Sequence, residues 1–331
     1  MNTKDFTPWI EKYRPNNLDD IVYHDETIKT LKIFLESDSL PHLLFYGPSG
    51  TGKTSTIMAC VNLLYGNDAH LMIMHLNASN ERGINIVRDK IGSFVTARSD
   101  MFVSPEKRKS FKIVILDEID SMTFEAQGML RQIIETHARR TRFCLICNEI
   151  DKVNSALQSR CVVFRFSPLN IETVHNRLLF ICKEEKLKIN NDAIKEIVKT
   201  ARGDLRKAIN ILECACIIDK NKLTLENVIK VCRKIPQSIL EEIFNLLISY
   251  RNNKIEFFEA YTSLNKIIDE NNVSLPFLVE SIREMVIKKK WNKQDKMKIL
   301  IKLSEIELYD SVNTDFDLLS QTITAIFCKN I

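Results

Sequence analysis

The chain has 331 residues, long enough for about two or three domains with their own cores. Apolar residues make up 45% and charged residues 27%, the balance of a soluble globular protein; no apolar run reaches bilayer-spanning length, and residues 1–9 carry no secretory signal core, so neither a membrane nor a secreted protein is expected. The formal net charge of +4 is too small for the whole surface to hold nucleic acid, so any such contact must come from a local basic stripe.

In chain order, Pro8-Trp9-Ile10-Glu11-Lys12-Tyr13-Arg14-Pro15 forms an aromatic and basic arm anchored by Trp9 and Tyr13. Residues 25–38 read as a helix with Ile28, Leu31, Phe34 and Leu35 on one face. Residues 42–46 read as a buried strand that runs into Gly47-Pro48-Ser49-Gly50-Thr51-Gly52-Lys53-Thr54, a match to G-x-x-x-x-G-K-[ST]. Glycines let the backbone turn its N–H groups inward onto phosphate oxygens; Lys53 supplies charge for the β- and γ-phosphates, and the Thr54 hydroxyl can ligate Mg²⁺. After the loop, Ile57, Met58, Val61, Leu64 and Tyr65 recur at helical spacing, and Gly66-Asn67 closes the helix. Strand, loop and helix in that order put phosphates at a helix N-terminus, which predicts nucleotide binding.

Residues 71–76 predict a second apolar strand, leading into Asn77-Ala78-Ser79-Asn80-Glu81-Arg82-Gly83. A helix over about 84–97 follows, with Arg88, Lys90 and Arg98 as surface charges, and then the apolar pair Met101 and Phe102. Residues 111–118 predict an apolar strand ending in Asp117 and Glu118, the Walker B pattern. Two acids ending a buried strand are seldom structural, because unpaired buried charge is costly. Asp117 suits the Mg²⁺ shell, and Glu118 can polarise the water that attacks a γ-phosphate. Asp120 or Ser121 caps the next helix, which runs through Gln127, Leu130 and Arg131 to Ile134.

Thr141–Cys147 predicts another buried strand, with Asn148 at the C-terminal end where ligands gather in doubly wound sheets. Cys144 and Cys147 have C-x-x-C spacing, but no second pair or neighbouring His completes a metal site, and thiols in an apolar run serve as small hydrophobes. Ser155-Ala156-Leu157-Gln158-Ser159-Arg160-Cys161 precedes a strand over 162–166, and Pro168 marks a first boundary. Helices are predicted over about 171–186, 190–201, 204–218 and 224–233. Arg206, in the first turn of the third, stands where acidic residues are preferred, which points to an anionic partner. All eight glycines lie at or before Gly203, so the chain beyond that residue should be helical. Pro236 marks a second boundary; residues 239–331 are amphipathic helix interrupted only by Pro276, with Lys288, Lys289, Lys290, Lys293, Lys296 and Lys298 as a basic run that reads as a solvated face or as a weak contact for DNA or an acidic partner.

These strings together resemble the small subunits of replication factor C, the sliding-clamp loader. The resemblance rests on P-W-I-E-K-Y-R-P, on N-A-S-D-E-R-G with Asn80 in place of the usual Asp, on the phosphate loop with Ser49 where Pro is common, and on Ser159-Arg160-Cys161. It runs from residue 9 to about 232; beyond that only length and helicity agree. Residues 141–148 and 155–161 look most like one eukaryotic small-subunit type, the third of yeast and fifth of human.

The resemblance implies an α/β fold: an AAA+ P-loop domain with a central parallel sheet over 1–167, an all-α lid over 168–234, and an all-α collar over 235–331. It implies ATP and Mg²⁺ as cofactors. Ile10, Arg14, Val22 and Tyr23 would surround the base and ribose, and Gly47, Pro48, Ser49, Gly50, Thr51, Gly52, Lys53, Thr54 and Ser55 the phosphates. Thr54 and Asp117 would hold the metal. Glu118, Lys53, Asn148 (sensor 1) and Arg206 (sensor 2) would act in their own site, and Arg160 would act as an arginine finger in a neighbour's. Arg82, Arg88 and Lys90 would track duplex phosphates without reading sequence. The implied activity is ATP-driven loading of a ring-shaped clamp at primer–template junctions, by a hetero-pentamer with no membrane partner, in the nucleus or at a cytosolic viral replication site. Other classes weighed are a ring motor of the branch-migration helicase type, whose β-containing winged helix the glycine-free tail argues against, and a structural or checkpoint-loader subunit with an idle ATPase site.

Overall fold

Short apolar runs pair side by side into a five-stranded parallel sheet: β1 (Leu43–Tyr46), β2 (Ile73–Asn77), β3 (Lys112–Asp117), β4 (Thr141–Cys147) and β5 (Val162–Arg165), in the order β2-β3-β4-β1-β5. This computed structural model describes residues 7–21, 23–37, 39–66, 69–79, 87–97, 111–219, 222–232, 234–252, 254–271, 273–310 and 316–328; the side chains of 87, 88, 309, 310 and 316 fall outside the description as well. The chain divides into two compact units, Met1–Leu225 and Glu226–Ile331.

Side-chain alternation along the strands builds two apolar layers. Phe45, Ile113, Ile115, Cys144 and Ile146 face one side, where α2 (Asp25–Glu36) brings Leu31 and Leu35 and α3 (Lys53–Tyr65) brings Ile57, Val61 and Tyr65. Leu44, Val114, Leu116, Phe143, Leu145 and Cys147 face the other, against Leu130 and Ile134 of a helix at Phe124–His137. Cys144 and Cys147 thus point to opposite faces of the sheet. Three residues apart on a strand, they cannot share a metal, and no cluster of metal-ligating side chains exists among the described residues.

Two short elements precede the second strand and the third. Residues 69–72 wind into α4 (Ala69–Met72), and the strand begins only at Ile73, where pairing with Ile113 starts. Before β3, a π-type turn (Val87–Ile91) continues into α5 (Gly92–Thr96). The helix after β3 starts later than expected. Ile119–Ser121 closes a 3₁₀ turn, so neither Asp120 nor Ser121 caps the helix; Thr123 does, its hydroxyl accepting from Ala126 N–H at 3.3 Å. That helix, Phe124–His137, is α6, and a single turn at Ser155–Gln158 is α7.

Beyond β5 come α8 (Ile171–Glu184), α9 (Asn191–Ala201) and α10 (Leu205–Ile218), each opened by a polar cap. Asn170 accepts from Thr173 N–H at 2.6 Å, Asn190 from Asp192 N–H at 2.9 Å and Asp204 from Lys207 N–H at 2.9 Å. A two-residue parallel pair, β6 (Lys188–Ile189) with β7 (Lys222–Leu223), adds to these helices a feature that helical periodicity does not reveal.

After α11 (Leu225–Val231), the second unit is helical: α12 (Gln237–Arg251), α13 (Phe257–Glu270), α14 (Leu275–Lys288), α15 (Lys293–Asp310) and α16 (Phe316–Ile326). Its core is Ile243, Leu247, Leu264, Ile282, Leu303, Ile323 and Phe327, with Phe244 stacked on Trp291 at 6.0 Å. Pro276 sits in the first turn of α14, where a missing N–H costs nothing, so it starts a helix instead of breaking one. The basic run lies at the α14–α15 junction, where Lys296 donates to Ile287 O at 2.7 Å and Lys289 lies over the Phe244 ring. No described helix is long and apolar enough to cross a membrane.

Candidate nucleotide-binding site

The strand order sets up the site. With β4 between β3 and β1, the C-terminal ends of all three lie side by side at about the 4.8 Å strand spacing. Asp117, Asn148 and the loop after Tyr46 therefore open onto one edge, as ligand sites in such sheets do.

The loop's glycines stand at close approaches, and two of them show why. Gly47 has φ +145°, and a Cβ there would sit 2.0 Å from the Phe166 carbonyl oxygen; Gly52 has φ +96°, with the Tyr23 ring 2.7 Å from any Cβ. The first amide bond of α3 runs from Thr56 N–H to Gly52 O at 2.9 Å, which leaves the amides of Lys53, Thr54 and Ser55 without intrahelical partners. An anion at this helix start would meet them.

Lys53 is 7% exposed, and its ammonium donates to Gly47 O (2.6 Å), Pro48 O (2.8 Å) and Asn148 Oδ1 (3.0 Å). Burial pushes its pKa down and the Asp117 carboxylate pushes it up, while the charge of nearby Arg206 lowers it. Thr54 donates to Asp117 Oδ2 at 2.7 Å, and the other carboxylate oxygen accepts from Glu118 N–H at 3.0 Å. Glu118 has φ +58°, a left-handed conformation costing a non-glycine residue about 1–2 kcal/mol. Ser121 stabilises it twice, hydroxyl and amide both donating to Glu118 O, at 2.7 and 2.9 Å.

Two further side chains hold the neighbouring loops. Asp120 Oδ2 accepts from Asn148 N–H (3.1 Å) and Glu149 N–H (3.2 Å), so it fixes the turn after β4. Gln127, 1% exposed, donates to Ile119 O, Met122 O and Lys152 O and accepts from Asn154 N–H at 2.7 Å, tying the turn after β3 to the one after β4.

The phosphate loop, Asp117, Glu118 and Asn148 border a pocket of about 230 Å³. Of the residues singled out from sequence, Ile10, Arg14, Tyr23, Ser49, Gly50, Thr51, Gly52, Lys53, Thr54, Ser55, Asp117, Glu118, Asn148 and Arg206 line it. Gly47 and Pro48 contribute through the carbonyls that hold Lys53. Val22, Asn80, Arg82, Arg98, Met101 and Phe102 lie outside the described residues, as does the side chain of Arg88. Lys90 is exposed on the π-type turn before α5, away from the pocket lining.

Sequence reasoning missed Glu11, Tyr13, Pro15, Asn77, Leu205 and Ile209, which also line the pocket. Asn77 ends β2 on the edge that carries Asp117, a signal the strand-end rule offers. It missed Asp204 too, which accepts from the Ser49 hydroxyl at 2.9 Å while Leu205 N–H donates to Gly50 O at 3.1 Å. Ser49 thus ties the phosphate loop to α10.

Arg160 is not among the pocket's lining residues. It follows α7, donates to Ala156 O at 2.7 Å, and pairs with Glu135 of α6, which Arg131 also approaches at 3.5 Å.

The residues present suit a polyphosphate with a hard divalent cation. A hydroxyl and a carboxylate are the oxygen donors magnesium prefers, while Lys53, Arg206 and the open amides of α3 match phosphate charge. The apolar and aromatic side chains in the lining, Ile10, Tyr13, Tyr23, Leu205 and Ile209, suit a base.

Residues 43–169 match the ATPase family associated with various cellular activities (AAA), and residues 171–229 match the RFC1-like AAA+ ATPase lid domain. Over 321 residues the chain is 45% identical to a protein of Acanthamoeba polyphaga mimivirus named as a replication factor C small subunit, spanning 97% of this chain and 93% of that one. It is 39% identical to replication factor C subunit 5 of Homo sapiens (97% and 91% covered). With replication factor C subunit 3 of Saccharomyces cerevisiae the identity is 36% (92% and 88% covered). Among solved structures, the Thermotoga maritima RuvB Holliday junction branch migration motor is similar in fold alone, with a TM-score of 0.52 at 18% identity over 81% of this chain and 91% of that one. The chain belongs to the replication factor C small-subunit family of AAA ATPases.

Proposed function

We propose that this chain is an ATP-hydrolysing small subunit of a clamp loader, catalytically complete only inside a hetero-oligomer. In this reading a nucleotide-binding domain (1–167), a lid (168–234) and a collar (235–331) act together with other loader subunits, and ATP binding and hydrolysis drive a ring-shaped clamp open and onto primer–template DNA. Arg82, Arg88 and Lys90 would meet duplex phosphates. The work takes place in a nucleus or, for a viral chain, a cytosolic replication site.

Within the pocket, Lys53 and the amides of α3 hold the phosphates, and Ile10, Arg14 and Tyr23 meet the base and ribose. Thr54 and Asp117 would hold Mg²⁺, whose charge offsets that of the phosphates. The Glu118 carboxylate orients the attacking water and takes up its proton, Asn148 hydrogen-bonds the same region, and Arg206 leans in from α10. Arg160 reaches the neighbouring subunit's γ-phosphate, where a cation supplied in trans stabilises developing charge.

One observation carries the reading. Lys53, Thr54, Asp117, Glu118 and Asn148 converge on one pocket while Arg160 stays out of it, which supports a site finished by a second subunit. The test is to purify the chain with its co-eluting partners and measure ATP hydrolysis with and without clamp and primed DNA. A rate raised by the two together supports the proposal. An unchanged rate, with no clamp co-purifying, contradicts it.

A further inference from the structure

The arm 9–14 is too short to hold its own shape: α1 (Trp9–Lys12) is a single turn with no buried residue. Its fixed position comes from the lid. Tyr13 Oη and Lys12 Nζ both donate to Glu185 Oε1 at 2.6 Å, and Arg177 donates to Tyr13 O at 2.8 Å. Trp9 N–H donates to Glu213 Oε2 at 3.2 Å. The Tyr13 ring meets the edge of Phe180 at 6.4 Å, with the Arg177 guanidinium 5.1 Å over the Phe180 face. All of these partners sit on α8, at its C-terminal cap or on α10.

A few residues later the chain belongs to the sheet domain. Leu18 and Ile21 are 4% and 5% exposed in the core around α2 and α3, and Asn62 of α3 donates to Asn16 O at 3.3 Å. Arg14 and Pro15, which line the pocket, therefore bridge a lid-borne segment and a core-borne one.

We infer that Glu185 and Arg177 are positioning residues for the base side of the pocket: they make the arm part of the lid, so lid placement and base contact are a single event. The inference rests on the reading of the pocket as an ATP site. Arm residues Ile10, Tyr13 and Arg14 line the pocket, while the groups that would hold the phosphates come from residues 47–55, so loosening the arm should weaken whatever meets the base and leave phosphate binding alone. The lid's own tie to the loop, through Asp204 and Leu205, does not involve the arm.

The experiment compares Tyr13→Phe, Glu185→Ala and the double variant, titrated with Mg·ATP and with magnesium tripolyphosphate, which has no base. Tyr13→Phe removes one hydrogen bond to a charged acceptor and is expected to weaken ATP about tenfold or more; Glu185→Ala removes the Lys12 contact as well and should weaken it at least as much; both should bind tripolyphosphate as the parent does. The double variant should be no weaker than Glu185→Ala, because that change already removes the only bond that Tyr13→Phe takes away. Parental ATP affinity in both single variants overturns the inference, and so does an equal loss for both ligands, which is the mark of a merely structural role. Tyr13→Phe loses one oxygen atom and keeps its ring, so it reports even if Glu185→Ala folds poorly. Lys53→Ala, run alongside, separates the two levels: if it leaves ATP binding intact, the ATP reading itself falls.

Discussion

Lys53→Met separates binding from folding, because the two should respond very differently. The buried ammonium bonds three uncharged oxygens at 2.6, 2.8 and 3.0 Å, and burial already pushes its pKa down. These bonds are charge-assisted and worth about 1.5–3 kcal/mol each. Removing the buried charge returns several kcal/mol of desolvation cost, and Met fills nearly the same length. The two terms oppose each other, so the net change in stability should stay within about 3 kcal/mol. Nucleotide binding has no such offset. Loss of a charge-assisted phosphate contact costs about 2–4 kcal/mol, or about 30- to 1,000-fold in affinity. Calorimetric titration with Mg·ATP and a urea unfolding curve measure both. ATP affinity within about threefold of the parent would refute the assignment of this nitrogen to the phosphates.

Three other outcomes follow from the geometry. Glu118→Gln keeps shape and hydrogen bonding but cannot take a proton, so ATP should bind normally while turnover in the assembled complex falls at least about 100-fold. Gly47→Ala sets a Cβ 2.0 Å from a carbonyl oxygen at φ +145°, and should destabilise the chain by about 2–4 kcal/mol in a urea titration. Burial, helped by the Arg142 charge, pushes His42 down to about 4, and its Nδ1 accepts from Phe143 N–H at 3.2 Å. The folded state thus binds fewer protons than the unfolded one, so His42 stabilises fully above its unfolded pKa, and that stability drains as pH falls from about 6.5 toward 4. His42→Gln should flatten part of the decline in urea midpoint between pH 7 and 5; His24 and His75, also lowered by burial, keep the remainder.

What was legible in the sequence was local. The runs at 43–46, 112–117 and 141–147 announce strands because helices cover both faces of the sheet, and the groups at their ends announce the site. The same rule started the second strand two residues early, at 71 instead of Ile73, because the helical turn at Ala69–Met72 is as apolar as the strand after it. Contacts across long sequence separations leave no periodic trace. Ser49 and Asp204 stand 155 residues apart, and the Glu135–Arg160 pair joins α6 to the turn after α7. Asp120 looked like a cap because acids near helix starts usually are; the 3₁₀ turn behind it frees its carboxylate to hold the loop bearing Asn148. The arm could be recognised as a string, but nothing in its residues says that the lid carries it.

In the proposed loader, this pocket and Arg160 belong to two different catalytic sites. The direct measurement is Arg160→Ala in the reconstituted assembly, with nucleotide occupancy and hydrolysis followed at each site. ATP affinity at this chain's own pocket should be unchanged, and turnover at the neighbouring one should fall about 1,000-fold or more. Full hydrolysis by the isolated chain, indifferent to Arg160→Ala, would contradict this assignment.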